Sequence, residues 1–218
     1  MALESIRPGS DLRRVRDAHQ RFLRAIEKLS DATIATPSLL PGWTVGHVLA
    51  HVARNADSHV RRTKAAMRSE MVDQYPGGSA GRADEIERTA HRTAEALRAD
   101  VAGSAEALDS VWDETPDAAW SQLTRDVVGR ERPLHRLPPR RWQELEIHVV
   151  DLGIGVTHRD WSADFVDAWL PQLRDGLAAR LPAGADPPAP GALDAHDELA
   201  WLYGRLDRPD LPVLVPWA

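Results

Sequence analysis

Apolar residues recur at intervals of three and four along most of this chain, a spacing that is typical of helices with one buried face. The first such segment runs from Asp11 to about Ala32, and Ser10 precedes it as a predicted N-cap. Three further helices are predicted from Thr44 to about Arg68, from about Ala83 to Leu108 and from about Pro138 to Gly153. Four helices of these lengths, joined by turn-rich segments, predict a four-helix bundle.

The pattern changes after the fourth helix. One amphipathic helix is predicted from about Ala163 to Leu181, followed by a linker rich in proline, alanine and glycine over residues 182–191 and a short helix from about Leu193 to Tyr203. We therefore expect a mainly α protein, with the bundle over residues 1–157 and a small mixed α/β domain over residues 158–218.

Composition narrows the possible partners. The chain has 218 residues, 43% of them hydrophobic, which is enough for a globular core. Acidic and basic residues are interspersed and the net charge is −6, so the basic surface that nucleic acid requires is not expected. No apolar run approaches the roughly 18 residues of a membrane span, and the N-terminus lacks the apolar stretch of a signal peptide. We expect a cytoplasmic monomer with no nucleic-acid or membrane partner.

The chain contains no cysteine. Disulfides, zinc sites built from thiolates and a thiol nucleophile of the protein's own are therefore excluded. Any thiol chemistry must use a thiol brought in from outside.

The fourth predicted helix carries the most informative polar residues. Glu144, His148 and Asp151 fall within roughly 60° of one another on a helix. Apolar residues flank this polar stripe on both sides: Leu145, Ile147, Val150 and Leu152. A buried unpaired carboxylate costs several kcal/mol, so such a group is usually paired, protonated or bound to a cation. The spacing is that of metal ligands, although a Glu/His pair on a helix surface has the same spacing.

The second predicted helix carries a file of polar residues at successive steps of four: His47, His51, Asn55 and His59. Each of them, taken singly, is typical of a hydrogen-bonded residue at the edge of a core. Bundles, however, build metal sites from side chains on facing helices, and one imidazole opposite Glu144 and His148 would complete a set of three ligands. Two imidazoles and a carboxylate suit zinc or a similar divalent ion and leave one coordination position open, which favours catalysis. The spacing alone does not choose among the histidines.

Two segments of the chain resemble a known family. They are Leu40-Pro-Gly-Trp-Thr-Val-Gly-His-Val-Leu-Ala-His-Val-Ala-Arg-Asn-Ala56 and Arg141-Trp-Gln-Glu-Leu-Glu-Ile-His-Val-Val-Asp-Leu-Gly153. Both resemble the mycothiol-dependent maleylpyruvate isomerases, which have a DinB-like metal-binding four-helix bundle. The segment Leu199-Ala-Trp-Leu-Tyr-Gly-Arg205 resembles the closing motif of that family, so the resemblance extends over most of the chain.

The resemblance implies a ligand set. It selects His51, the second histidine of its motif, to hold zinc together with Glu144 and His148. Three neighbouring residues then become candidates for orienting these ligands: His47, Asn55 and Asp151.

The resemblance also implies the chemistry. In this family a metal ion lowers the pKa of mycothiol, a low-molecular-weight thiol. The thiolate adds to the conjugated double bond of a cis-dienoic keto acid, the resulting single bond rotates, and the thiol is expelled to leave the trans isomer. Arg205 matches a family arginine that serves the active site, and Arg82 is a second candidate for holding substrate carboxylates or an enolate. An interaction of Arg205 with a helix end is an equally good interpretation.

Two other functions remain open on the sequence. The same thiolate could attack an electrophile and leave as a conjugate, which would make the protein a mycothiol S-transferase. The chain could also be a non-catalytic, metal-stabilised binding module, because residues 181–193 form a Pro/Ala linker where the family more often has strands of the second domain. An isomerase regenerates the thiol at each turnover, whereas a transferase consumes it.

Overall fold

Helices dominate the regular structure of residues 7–215, the part of the chain that this computed structural model describes. The mainly α class is thereby confirmed. The chain divides between Ile154 and Gly155 into two units.

The first unit contains a four-helix bundle. Its α-helices within residues 7–154 are α1 (Gly9–Ile26), α2 (Asp31–Ile34), α3 (Val45–Met67), α4 (Gly78–Ala90), α5 (Ala94–Glu114) and α6 (Leu137–Asp151). The bundle consists of α1, α3, α5 and α6, since α3 packs on α5 and α6, and α1 packs on α6 and α5. In addition, α4 packs on α3. The prediction of a four-helix bundle is confirmed.

Local sequence sets the ends of the two helices that matter most. At the start of α3 the Thr44 side chain accepts a hydrogen bond from His47 N–H, and His47 Nδ1 accepts one from Thr44 N–H at 3.2 Å. This capping box satisfies backbone donors that a helix start leaves unpaired. The first turn of α6 holds Pro138 and Pro139, whose missing N–H groups cost nothing there. After α6, Gly153 has a φ of +67°, which glycine adopts without strain.

The third predicted helix is in fact two helices, α4 and α5. The chain leaves helical geometry between residues 91 and 93, and the Thr93 side chain then accepts a hydrogen bond from Ala96 N–H as the N-cap of α5. Asp31 Oδ1 accepts a further bond from the backbone N–H of Ala94 at 2.6 Å. The apolar periodicity continues across the break, so it gave no sign of these caps.

Two other helices are shorter than predicted. The first helix ends at Ile26 instead of about Ala32, and α2 starts anew after Ser30, whose side chain caps it. In the second unit, the helix predicted to reach Leu181 ends at Asp175.

Gly46 allows α3 and α4 to approach each other closely. A Cβ atom at this position would lie 2.3 Å from Ala90 O and 3.3 Å from Ile34 O, so a larger residue would force the two helices apart. His47 and His91 follow directly after the two residues in this contact, and the close approach therefore brings their backbones together.

A short hairpin lies between α5 and α6. Its strands β1 (Leu123–Arg125) and β2 (Glu131–Pro133) are antiparallel, with Thr124 opposite Arg132. Gly129 has a φ of +84° in the turn between them. Because β1 contacts α3, the hairpin lies beside the helix that carries the polar file.

The second unit contains α7 (Ala163–Asp175) and α8 (Ala195–Leu202), which pack on each other. Aromatic rings form much of its core: Trp161, Phe165, Trp169 and Tyr203. The strands expected in this domain are not found among residues 155–215; the two strands of the described chain lie in the first unit. Proline lacks the N–H that a strand ladder needs, which accounts for the irregular stretch over residues 182–191.

None of the helices within residues 7–215 combines the length and the apolar character that a membrane crossing requires.

Candidate metal centre

Three side chains from α3 and α6 meet at one point, and we call them the inner cluster: His51 from α3, and Glu144 and His148 from α6. His51 Nε2 lies 3.0 Å from Glu144 Oε2 and 3.0 Å from His148 Nε2. Glu144 Oε2 lies 3.3 Å from His148 Nε2. The convergence follows from the helices, because Glu144 and His148 are one turn apart on α6 and α3 packs against α6.

The donor set of the inner cluster fits a divalent ion. Ligands bound at about 2.0–2.2 Å to a tetrahedral ion are roughly 3.3 Å apart, close to the separations observed here. The rings of His51 and His148 are nearly perpendicular, at 87°, with centroids 4.6 Å apart. Three protein ligands would leave a fourth position of a tetrahedral ion for another ligand.

The remaining residues of the α3 polar file have other partners. His47 Nε2 lies 3.1 Å from Glu87 Oε2, and Asn55 Oδ1 accepts a hydrogen bond from Arg141 Nη1 at 2.9 Å. Within the described residues no hydrogen bond joins the side chain of His47 or Asn55 to those of the inner cluster, contrary to the expectation that they orient its ligands. His59 is buried, and its Nδ1 has no hydrogen-bond partner within the described residues.

Asp151 is the residue that orients a member of the inner cluster. Its side chain is 1% exposed, and Oδ2 accepts a hydrogen bond from His148 Nδ1 at 2.8 Å. A carboxylate behind a metal-binding imidazole fixes the tautomer and makes the ring a better donor to the metal. The structure thus brings Asp151 to the position that the sequence spacing predicted for it.

Arg82 lies on α4 and contacts the other side of the inner cluster. Its Nη2 donates a hydrogen bond to His51 Nδ1 at 3.1 Å. The guanidinium also lies 6.0 Å from the ring centroid of Trp43 and 5.8 Å from that of Tyr75, within the range of cation–π attraction. Arg82 is therefore positioned against the cluster.

The surroundings shift the pKa values of all three cluster residues. Burial lowers the pKa of His51 to about 4. Burial also opposes the charged form of His148, but hydrogen bonds to Asp151 and Glu144 outweigh it and raise the pKa of His148 to about 9. Burial would raise the pKa of Glu144, yet its hydrogen bonds with His148 and His51 hold that pKa well below its usual range. At neutral pH His51 and Glu144 are thus in the form that binds a metal ion, and His148 has a proton to release.

The inner cluster lines a cavity of about 470 Å³ in the first unit. The lining includes His59, and it is rich in positive charge because it includes six arginines: Arg62, Arg82, Arg130, Arg132, Arg136 and Arg140. Asp126 partly offsets this charge, with Oδ2 at 2.9 Å from Arg130 Nε and 3.7 Å from Arg132 Nε. A cavity with a metal-binding cluster and several guanidinium groups suits a small anionic molecule.

Sequence reasoning missed most of this arginine lining. Only Arg82 was singled out, whereas the hairpin and the start of α6 supply Arg130, Arg132, Arg136 and Arg140. A signal was present, since these arginines are closely spaced in the sequence, but the overall negative charge of the chain obscured it.

Arg205 belongs to the second unit. It follows α8, and its Nη1 donates a hydrogen bond to Tyr203 O at 2.8 Å. It also lines a hollow of about 460 Å³ within that unit, beside Arg180 and Arg208. Its predicted role in catalysis or thiol binding stays a prediction.

Comparison with known proteins decides the family. Residues 15–153, which include α3, α6 and the whole inner cluster, match the family model of the mycothiol maleylpyruvate isomerase N-terminal domain. The chain belongs to this family. The resemblance in the two sequence motifs is thereby confirmed.

Solved structures agree with this family at the level of the fold. A crystal structure of the mycothiol-dependent maleylpyruvate isomerase is similar to this chain with a TM-score of 0.82 and 23% identity, over 96% of this chain and 99% of that one. A histidine-to-alanine mutant of that enzyme gives a TM-score of 0.81 and 22% identity over the same shares. YfiT from Bacillus subtilis, which has an unusual four-helix bundle topology, gives 0.55 and 14% over 70% of this chain and 87% of its own. No curated protein matches the sequence.

The extent of the structural match shows how much of the second domain this chain shares with the similar structure. Because the similarity covers 99% of the chain of the maleylpyruvate isomerase, this family member does not lack a large part of the second domain. The Pro/Ala linker is therefore no longer a reason to expect a module that lost its activity by truncation.

Proposed function

We propose that this family member is a thiol-dependent isomerase that uses zinc or a similar divalent ion, held by His51, Glu144 and His148. Its reaction would be the cis–trans isomerisation of an unsaturated keto acid, with mycothiol as the thiol. The observation that carries the proposal is the convergence of two imidazoles and a carboxylate in an arginine-lined cavity. A structurally similar protein is a mycothiol-dependent maleylpyruvate isomerase, which supports this choice of reaction.

The inner cluster and Asp151 would act as the ion-binding part of the site. An ion bound there would lower the pKa of a coordinated thiol and so supply a thiolate at neutral pH. Asp151 holds His148 so that its Nε2 faces Glu144. The thiol must come from solution, because the chain has no cysteine.

Arg82 would serve the anionic substrate. A guanidinium can only donate hydrogen bonds, and Arg82 now donates to His51 Nδ1. An imidazole that uses Nε2 for an ion carries its proton on Nδ1, so Arg82 would lose this acceptor and become available to a substrate carboxylate or enolate. The neighbouring arginines of the cavity would add attraction for a molecule with more than one carboxylate. Arg205 is kept as a proposed catalytic and thiol-binding residue of the second unit.

The test is an assay of purified, zinc-loaded protein with mycothiol and maleylpyruvate. We expect the trans product to form with no net loss of thiol, and we expect Glu144→Ala to remove the activity. Glu106→Ala is the matched control, since Glu106 is an exposed glutamate on α5 outside the cavity lining.

The amount of thiol consumed per product, together with turnover itself, distinguishes the isomerase from the two alternative functions. Loss of one thiol per product would overturn the isomerase and support a mycothiol S-transferase. Stoichiometric zinc without turnover, for any unsaturated acid or electrophile tested with the thiol, would support a binding module instead.

A further inference from the structure

A second group of metal-binding side chains lies on the outer side of α3, and we call it the outer cluster: His47, Glu87 and His91. Glu87 Oε2 lies 3.1 Å from His47 Nε2, and Glu87 Oε1 lies 3.1 Å from His91 Nε2. The His47 and His91 rings are perpendicular, at 89°, with centroids 5.3 Å apart. The inner and outer clusters are the two groups within residues 7–215 whose donors are close enough together to share a metal ion.

The outer cluster repeats the donor set of the inner one. Each has one histidine from α3 and a glutamate four residues before a second histidine. In the inner cluster both of these residues lie on α6; in the outer cluster Glu87 lies on α4 and His91 is the C-cap residue that follows it. Two imidazoles and one carboxylate favour zinc, copper or nickel over magnesium or calcium. The two histidine–glutamate separations of the outer cluster are 3.1 Å, each to a different oxygen of Glu87, and one donor atom from each of the three residues lies within 4.8 Å of the others.

Contacts with Thr44 and Trp43 hold the His47 side chain in place before any metal ion binds. Its Nδ1 lies 2.8 Å from Thr44 Oγ1, and its ring is stacked on Trp43 at a centroid distance of 6.2 Å. In the capping box Nδ1 accepts from Thr44 N–H; an ion at Nε2 would place the ring proton on Nδ1 instead, where Thr44 Oγ1 can accept it. Gly46 fixes the distance between α3 and α4, because its hydrogen atom faces Ala90 O where no Cβ would fit.

Exposure distinguishes the outer cluster from the inner one. The side chain of His47 is 9% exposed, but those of Glu87 and His91 are 69% and 66% exposed. An ion can therefore reach the cluster directly from solvent. A simple surface pair of Glu87 with His91 would account for these two residues, since such pairs are common and weak at this spacing. It does not account for the third donor, His47, held at 3.1 Å from the same carboxylate by another helix.

We infer that His47, Glu87 and His91 bind a second divalent ion, of the zinc, copper or nickel type, more weakly than the inner cluster binds its own. The ion joins the start of α3 to the end of α4. Since α4 also carries Arg82, the ion at the outer cluster fastens the helix that lines one side of the cavity. Its role is structural, because all three donors lie outside the cavity lining.

Zinc titration of the purified protein tests this site. We expect the wild type to bind two equivalents, one tightly and one more weakly, measured by isothermal titration and by metal content after equilibrium dialysis. His91→Ala and Glu87→Gln should each weaken the second equivalent by about 100-fold or more, since losing even a partner behind a ligand costs roughly 10–100-fold. Asp84→Asn, an exposed carboxylate on the same helix, should leave both equivalents unchanged. His51→Ala should remove the tight equivalent and keep the weak one.

Saturation of the wild type at one equivalent, with the same isotherm for His91→Ala, would overturn the second site. Hydrogen exchange tests independently whether the ion stabilises α4. Zinc at a concentration that fills the weaker site should slow the exchange of α4 amides in the His51→Ala protein, and it should not do so when His91→Ala is added. Equal α4 exchange with and without zinc in His51→Ala would show that an ion at this site does not fasten the helix.

Discussion

The inner and outer clusters have the same donors and the same spacing but different surroundings. Both pair an α3 histidine with a glutamate and a histidine four residues apart, and the two α3 histidines are themselves one turn apart. Behind the inner cluster stands the buried carboxylate of Asp151, and a cavity opens in front of it. The exposed residues of the outer cluster face solvent. The comparison shows that residue spacing identifies candidate metal ligands. Burial, a hydrogen-bonding carboxylate behind a ligand and an adjacent cavity then decide which cluster can be a catalytic site.

The energetic reason lies in desolvation. Glu144 is held as an anion by two imidazoles whose side chains are only 4% and 14% exposed, so a cation there would act in a setting with less water than at the protein surface. Charges interact more strongly in such a setting than at the surface. At the outer cluster water competes for the exposed donors of Glu87 and His91, so an ion gains less there.

The largest expected effect comes from removing an inner ligand. His51→Ala, Glu144→Ala and His148→Ala should each lower tight metal occupancy by more than about 100-fold and abolish thiol-dependent turnover, since two protein ligands hold the ion far less well than three. Metal content after dialysis and the isomerase assay measure both. Circular dichroism should stay helical, because the buried apolar contacts of the bundle do not include these residues. His47→Ala should leave the tight equivalent in place; full retention of tight metal in His51→Ala would refute the assignment of His51.

A smaller effect is expected from the carboxylate behind His148. Asp151→Asn keeps the size of the side chain but removes its charge, and it should weaken the tight equivalent by roughly 10–100-fold. Competition with a zinc chelator measures the change. The outer cluster has no such buried carboxylate behind it, so its affinity should not move; an unchanged tight site in Asp151→Asn would show that Asp151 only packs against His148.

The next effect separates ion binding from substrate binding. Arg82→Ala should lower kcat/KM by roughly tenfold, as expected for a lost charge-assisted hydrogen bond of about 1.5 kcal/mol, and leave the tight metal equivalent unchanged. Arg88→Ala, on the exposed side of the same helix, is the control. If Arg82→Ala instead lowers metal affinity and spares kcat/KM, the residue supports His51 and not the substrate.

The smallest effect is a pH dependence of stability that comes from two buried histidines outside both clusters. Burial lowers the pKa of His19 below 6.5 despite its hydrogen bond to Asp109, and burial lowers the pKa of His59 well below the same value. At these two histidines the unfolded chain binds more protons than the folded one at mildly acidic pH, so their contribution to stability is full above about pH 6.5 and falls as the pH drops below it. Urea midpoints at pH 7.5 and 5.5 measure this. His19→Gln should reduce the difference, whereas His91→Gln, at an exposed histidine, should not.

The sequence predicted those features of the fold that depend on the spacing of residues along a single helix. The bundle and the polar stripe of Glu144, His148 and Asp151 followed from helical spacing, because neighbours along a helix are fixed by its geometry. The break before Thr93 was missed, since its cap is completed by Asp31 from a distant turn. Side-chain caps that come from elsewhere in the chain leave no periodic signal.

The other features that the sequence did not reveal depend on contacts between different helices. Choosing His51 over His47 and His59 needed the family motif, because the sequence does not show which histidine of α3 faces α6. The outer cluster went unnoticed because His47 and Glu87 meet only through the approach of α3 and α4 at Gly46. The arginine lining likewise depends on how the hairpin and α6 face the cavity.

Anomalous diffraction at the zinc edge, from crystals of the protein loaded with one equivalent of zinc, tests the central claim most directly. We predict one strong peak, about 2.0–2.2 Å from His51 Nε2, His148 Nε2 and a carboxylate oxygen of Glu144. A peak at the outer cluster alone, or at neither cluster, would contradict the claim that the inner cluster is the metal centre of this protein.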